Sequence, residues 1–204
     1  MERLKALLEN YGYTSWKCVS IEKVKTMPED MWALHGKDEV HEKQKGHIAR
    51  SIKAIEDLSK APKKYTSVLV VALPRGDSDA RQSGGVNVKS ALKEAGFVAK
   101  LNTSLPIKRL AVLSGLAEYC RNNVTTVPGI GSYVQYTVFL TDVPFDDSNW
   151  REKPIMAAEC EDCNICMNAC PKGSISKERF LFYYEKCKGC NTECYWSCPL
   201  CKRK

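Results

Sequence analysis

The chain has 204 residues, enough for one domain of ordinary size and a small second one. Hydrophobic residues make up 44% of it and no apolar run reaches the length of a bilayer crossing, so a folded chain without a membrane span is expected. The net charge of +7 comes without arginine–aromatic interleaving, which argues against a nucleic-acid groove, and Glu2 and Arg3 open an amphipathic stretch rather than a secretory core.

Leu4, Leu7 and Leu8 sit at helical spacing within Glu2 to Glu9, and Gly12 ends this opening helix. Ser15 to Ile21 alternates as a short strand, with Cys18 facing the core as a small hydrophobe. Pro28 to Leu34 reads as a short helix started by Pro28 and anchored by Trp32. From His47 onward, Ile48, Ile52, Ile55 and Leu58 make one helical stripe in an otherwise highly charged stretch. His35, His41 and His47 recur every six residues. That interval does not set them on one helical face, where an interval of about four would be needed to share a metal, so exposed or locally bonded histidines are expected.

Ser67 to Leu73 is a continuous apolar, β-branched run and predicts a buried central strand. A polar loop over Ser78 to Gly85 comes next, then a helix over Val86 to Ala95 capped by Gly96, then a strand over Phe97 to Leu101. Leu105 to Cys120 reads as one or two helices broken near Gly115. Val124 to Val127 is a short strand, Pro128 to Tyr133 a glycine-rich turn, and Tyr133 to Leu140 a clear strand. Phe145 to Pro154 links to a cysteine-rich C-terminal stretch.

Nine of the eleven cysteines lie at or beyond Cys160, which favours a reducing cytoplasm over disulfides. The first run is Cys160-x2-Cys163-x2-Cys166-x3-Cys170-Pro171, the pattern of bacterial ferredoxins. The second is Cys187-x2-Cys190-x3-Cys194-x3-Cys198-Pro199, with one residue more than the first run between its middle cysteines. In such pairs the cysteine before each proline serves the neighbouring cluster. The assignment therefore crosses over: Cys160, Cys163, Cys166 and Cys198 hold one [4Fe–4S] cluster, and Cys187, Cys190, Cys194 and Cys170 hold the other. Paired four-cysteine zinc sites are the alternative, although they usually join two CxxC knuckles across a long loop. Cys201 is either an exchangeable ligand or a spare thiol. Phe180 to Tyr184, between the runs, would pack over the clusters or simply fill core. Low-potential, oxygen-sensitive clusters suited to anaerobic chemistry are expected.

The strand Ser67 to Pro74, the segment Leu105 to Tyr133, Phe139 to Pro144 and the two cysteine runs together resemble epoxyqueuosine reductase and the reductive dehalogenases. The points that carry the resemblance are Gly115-Leu116, Arg121-Asn122, Pro128 and Gly131-Ser132-Tyr133, and the likeness is to small double-cluster relatives in particular. It implies a nitroreductase-like N-terminal fold that holds a base-off corrinoid (cobalamin) and a ferredoxin domain that feeds it single electrons. It also implies that Arg121, Asn122, Gly131, Ser132 and Tyr133 line the corrinoid face. Read from the residues alone, the same glycines can simply make a β-turn, and Arg121 can cap a helix C-terminus. The sequence departs from the family at Asn102 to Pro106, which has no acid where the queuosine enzyme carries its expected proton donor. Arg75 to Gly85 is also shorter than the family's enclosing segment. No catalytic residue is assigned.

The expected fold class is α+β: a mixed sheet with helices, a nitroreductase-like remnant, over residues 1–154, then a bacterial-ferredoxin-like double-cluster domain over residues 155–204. The expected function is an iron–sulfur oxidoreductase that passes single electrons to a corrinoid, flavin or substrate. The alternative is a non-catalytic electron-transfer protein serving a partner enzyme. A ferredoxin or flavodoxin donor, or an acceptor enzyme, is the expected partner.

Overall fold

The structure, a computed structural model, describes residues 1–27, 42–75, 78–178, 182–183, 185–187 and 192–201. The helix expected over Pro28 to Leu34, with His35 and His41, lies outside them, as do Cys190 and most of Phe180 to Tyr184.

Helix α1 (Glu2–Asn10) leads into strand β1 (Ser15–Ser20), short helix α2 (Ile21–Lys25), helix α3 (Glu42–Glu56) with a 3-10 turn (Asp57–Lys60), strand β2 (Ser67–Pro74) and helix α4 (Ser78–Glu94). Strand β3 (Ala99–Leu101), helix α5 (Ile107–Leu113), strands β4 (Glu118–Tyr119), β5 (Thr125–Thr126) and β6 (Val134–Thr141) complete the scaffold. The main sheet has the order β1-β2-β6-β3. Every ladder in it is antiparallel, where the sequence reading expected a mixed sheet. The apolar run of β2 therefore reports two covered faces and not strand direction.

Both faces are covered because side chains on a strand alternate. Val68, Val70 and Ala72 of β2 pack with Ile21 and Val24 of α2, Ile55 of α3 and Leu110 to Leu113 of α5. Leu69 and Val71, one residue out of phase, pack with Leu4 and Leu8 of α1 and Val88, Ala91 and Leu92 of α4. Phe139 of β6 and Cys18 of β1 join that second layer. At roughly 1.5–3 kcal/mol per buried aliphatic side chain, these layers dominate the stability of the scaffold.

Two expectations change. Helix α4 begins at Ser78, so the predicted loop over Ser78 to Gly85 is helical. Gly84 and Gly85 each disfavour helix by about 1 kcal/mol, which is why the stretch reads as loop, but packing of α4 against α1 and β3 outweighs that preference. The helical reading of Leu105 to Cys120 stops early. Helix α5 ends at Leu113, Gly115 takes φ +77°, and Leu116 N–H closes the turn on Ala111 O at 2.9 Å. Residues beyond it form β4, which pairs with β5 through Glu118–Thr126 and Tyr119–Thr125.

The expected linker is tied down. Asp147 accepts hydrogen bonds from Ser20 N–H at 2.9 Å and Ser20 Oγ at 2.6 Å. The Arg151 N–H donates to Leu113 O at 2.8 Å. Among the described residues no helix is long and apolar enough to cross a membrane.

Candidate metal centre

The β4–β5 hairpin is the element that meets the cysteine-rich segment. Its loop is tight: Cys120 N–H donates to Val124 O at 2.7 Å and Asn123 N–H to Cys120 O at 2.9 Å. Asn123 adopts φ +61°, a conformation asparagine tolerates better than most residues. The loop presents Cys120, Arg121 and Asn122 as three consecutive buried residues.

Arg121 and Asn122 both engage the chain beyond Met156. The Arg121 guanidinium donates to the carbonyls of Cys160 (2.7 Å), Glu161 (3.0 Å), Ser176 (3.4 Å) and Lys177. Asn122 Nδ2 donates to Cys194 O at 2.9 Å. Tyr119 of β4 adds a two-bond ladder, its N–H to Ile155 O at 2.9 Å and its carbonyl receiving Ala157 N–H at 2.8 Å.

The glycine turn makes the second attachment. Ser132 N–H donates to Leu200 O at 2.7 Å, and its carbonyl accepts Tyr195 Oη at 3.0 Å. Tyr133 lies 5.5 Å from the Trp196 ring and 6.3 Å from the Tyr195 ring, within aromatic pairing range. Gly131 N–H closes on Val127 O at 2.8 Å with φ +95°. Arg121, Asn122, Ser132 and Tyr133 thus all contact the cysteine-bearing segment, and Gly131 shapes the turn that delivers Ser132.

Within that segment a 3-10 turn (Ala158–Cys160) and two one-turn helices, α6 (Ile165–Asn168) and α7 (Glu193–Trp196), carry Cys160, Cys166 and Cys194, and α6 packs on α7. Cys160, Cys166 and Cys198 are buried and Cys163 is half-buried; all four are free thiols. Burial, and then the neighbouring Cys198, Cys160 and Cys163, push the Cys166 thiol up to about 12. Cys198, Cys160 and Cys163, from the two cysteine runs, are therefore all neighbours of Cys166. Of the others, Cys170 and Cys194 are half-buried and Cys187 is exposed.

The sulfurs receive backbone donors. Ser174 N–H points at Cys170 Sγ, 3.3 Å away. Burial opposes ionisation of Cys170, but the amides of Ser174, Lys172 and Gly173 outweigh it and lower its pKa. Cys160 is lowered first by a hydrogen bond from Cys120 and then by the backbone and charge of Arg121, against the cost of burial. Cys198 is lowered first by Cys120 and also by the amides of Leu200 and Cys201.

Among the described residues, no three His, Cys, Asp or Glu side chains converge closely enough to hold a single metal ion. Free, soft thiolate donors with N–H groups aimed at sulfur fit an iron–sulfur cluster.

Cys120 is a residue that sequence reasoning missed. It is buried, in one cluster with Ala157 and Cys160. It sits outside both runs, and its only sequence signal is its place directly before Arg121-Asn122. A cleft of about 820 Å³ opens beside the centre, lined by Thr14, Arg75, Gly129, Ile130, Pro199 and Cys201, among others. The glycine turn thus borders the cleft through Gly129 and Ile130, neighbours of the expected Gly131 to Tyr133. A second cavity of about 490 Å³ is lined by Asn102, Thr103 and Tyr136, among others. Asn102 Oδ1 there accepts the N–H groups of Ser104 and Leu105, at 3.0 and 3.1 Å, and so shapes its own loop.

No protein-family model matches the chain. Pyruvate synthase subunit PorD of Methanothermobacter marburgensis is 41% identical over 54 residues, which is 26% of this chain and 64% of that protein. Among solved structures, epoxyqueuosine reductase from Streptococcus thermophilus overlays with a TM-score of 0.68 at 13% identity, covering 98% of this chain and 66% of that one. The Bacillus subtilis epoxyqueuosine reductase overlays at 0.59 with 17% identity, covering 97% and 65%. The chain spans slightly less than two thirds of the length of each of these proteins. The chain has the fold of epoxyqueuosine reductase, with its antiparallel sheet and covering helices.

Proposed function

We propose that the chain is an iron–sulfur oxidoreductase with two [4Fe–4S] clusters, one on Cys160, Cys163, Cys166 and Cys198 and one on Cys170, Cys187, Cys190 and Cys194. The clusters supply single electrons, and the 820 Å³ cleft holds the acceptor. The observation that carries this reading is the shared wall of that cleft. Pro199 and Cys201, just past Cys198, line it together with Pro128, Gly129 and Ile130 of the scaffold's glycine turn. An acceptor bound there lies next to the first cluster, and the volume is within the usual range for cofactor sites. Arg121 and Asn122 bind and orient the cysteine segment, and the Tyr133, Tyr195 and Trp196 rings pack together where it meets the scaffold. The residues 1–154 and 155–204 then act as acceptor scaffold and electron-delivery domain. A ferredoxin or flavodoxin is the expected donor.

The test is anaerobic iron–sulfide reconstitution followed by titration with cob(II)alamin, read by visible and EPR spectra. About eight iron per chain and saturable conversion to the base-off form support the reading, with a corrinoid as acceptor. Two clusters with no cob(II)alamin binding and no flavin binding remove the acceptor site.

The PorD similarity supports a second reading, an electron-transfer subunit for a partner enzyme. It predicts two clusters, no cofactor in the cleft, and reduction of a partner enzyme by the reduced protein.

A further inference from the structure

The cleft beside the metal centre has a fixed frame. Gly131 N–H closes on Val127 O at 2.8 Å, Ser132 N–H donates to Leu200 O at 2.7 Å, and Arg75 N–H donates to Tyr133 O at 2.9 Å. The end of β2, the glycine turn and the segment after Cys198 are thereby tied to one another. Arg75 is the one charged side chain among the described residues that line the cleft. It is exposed, and among the described residues no carboxylate pairs with it. Thr14 and Ser15 add two hydroxyls to the same lining. Gly12 and Gly129 also belong to it, with φ +81° and +80°, and at both the space where a Cβ would stand is open. A ligand can approach the backbone closely at such positions.

We propose that the cleft takes an acceptor that carries a phosphate, with the Arg75 guanidinium as its anchor. This rests on the acceptor reading above and names the class of molecule the cleft selects. A pair of phosphate oxygens matches the planar fork of an arginine, and its remaining oxygens can accept from hydroxyls such as those of Thr14 and Ser15. None of the described lining residues is acidic, so nothing among them repels an anion. The volume of about 820 Å³ leaves room for a bulky ring system beside the phosphate. Arg75 holds and orients the acceptor, and the electrons come from the clusters.

The probes are two pairs that differ in phosphate. FMN is set against riboflavin, and cob(II)alamin against cob(II)inamide, which lacks the phosphodiester-linked nucleotide. Each is titrated anaerobically into the reconstituted full chain as wild type, Arg75→Gln and Arg75→Lys, with iron counted in every sample. In a pair that binds, wild type should hold the phosphate-bearing member about tenfold tighter or more, the size of a charge-assisted hydrogen-bond pair. Arg75→Gln should remove most of that preference and leave the phosphate-free member unchanged, while Arg75→Lys should keep part of it. Equal affinities within a pair, or a preference that survives Arg75→Gln, overturn the inference and leave the acceptor site standing. Inorganic phosphate bound as tightly as FMN or cob(II)alamin also overturns it, since the ring system would then contribute nothing. Iron-loaded protein that binds no member of either pair removes the acceptor site itself, and this inference with it.

Discussion

The Arg121 guanidinium donates to the Cys160 carbonyl at 2.7 Å, so a scaffold hairpin holds the backbone of the first cysteine of the ferredoxin-type run. The same guanidinium reaches three further carbonyls. A lysine offers a point charge in place of a planar fork and cannot reproduce that set. Arg121→Lys should cost about 1–2 kcal/mol and Arg121→Gln about 2–3 kcal/mol, as buried carbonyls lose their donors. Urea unfolding gives the stability. Faster iron loss to a chelator in both variants would tie it to the centre, and equal rates would refute that link.

Cys163 is one of the three thiols that neighbour Cys166. Cys163→Ser should remove about half of the reconstituted iron and one EPR signal, because a hydroxyl is a poor substitute for thiolate on iron. Iron content equal to wild type would strike Cys163 from the ligand set.

Gly115 turns the chain from α5 toward the hairpin with φ +77°, and a Cβ there would meet Asn149 O at 3.0 Å. Gly115→Ala combines left-handed backbone cost with that close contact, for about 1–3 kcal/mol. Thermal unfolding should show a fall in Tm of several degrees. An unchanged Tm would mean the turn relaxes freely.

Ser20 caps α2, its Oγ accepting Lys23 N–H at 3.1 Å while donating to Asp147 at 2.6 Å. Ser20→Ala removes both bonds and should cost about 1–2 kcal/mol. Asp147→Asn keeps the cap and should cost less. The reverse order would assign the stability to the aspartate.

Burial pushes the Cys18 thiol up to about 11, with Asp147 adding to the rise and a Ser67 hydrogen bond opposing it. The unfolded thiol ionises near pH 8.5, so the folded group is the weaker acid and favours folding most below that pH. Stability of about 2–3 kcal/mol is lost as pH rises from about 8.5 through 11. Denaturation midpoints between pH 8 and 11 should fall more steeply for wild type than for Cys18→Ala. Parallel slopes would show that Cys18 is not the group.

Some of this architecture is legible in the chain. The β2 run and the Ile48–Leu58 stripe announce themselves because a strand covered on both faces must be apolar throughout and a helix covered on one face must be apolar at its 3.6-residue period. The two cysteine runs are equally plain, since a ligand set needs fixed short spacings. Helix α4 was half hidden because two glycines argue against a helix that its packing on α1, β3 and the sheet sustains. Sheet direction was hidden too, since an apolar strand records how many faces are covered and not which way its neighbours run.

By itself the sequence determined which thiols are candidates, that the scaffold has a buried sheet, and where the cysteine segment begins. Only the tertiary structure decided what Arg121, Asn122 and Ser132 touch. The groups they donate to lie 39 to 72 positions away along the chain and are backbone carbonyls, which every residue possesses and no motif can mark. The position of Cys120 was decided in the same way. A cysteine 40 residues before Cys160 looks like a residue of the scaffold core until the hairpin folds it into one buried cluster with Cys160.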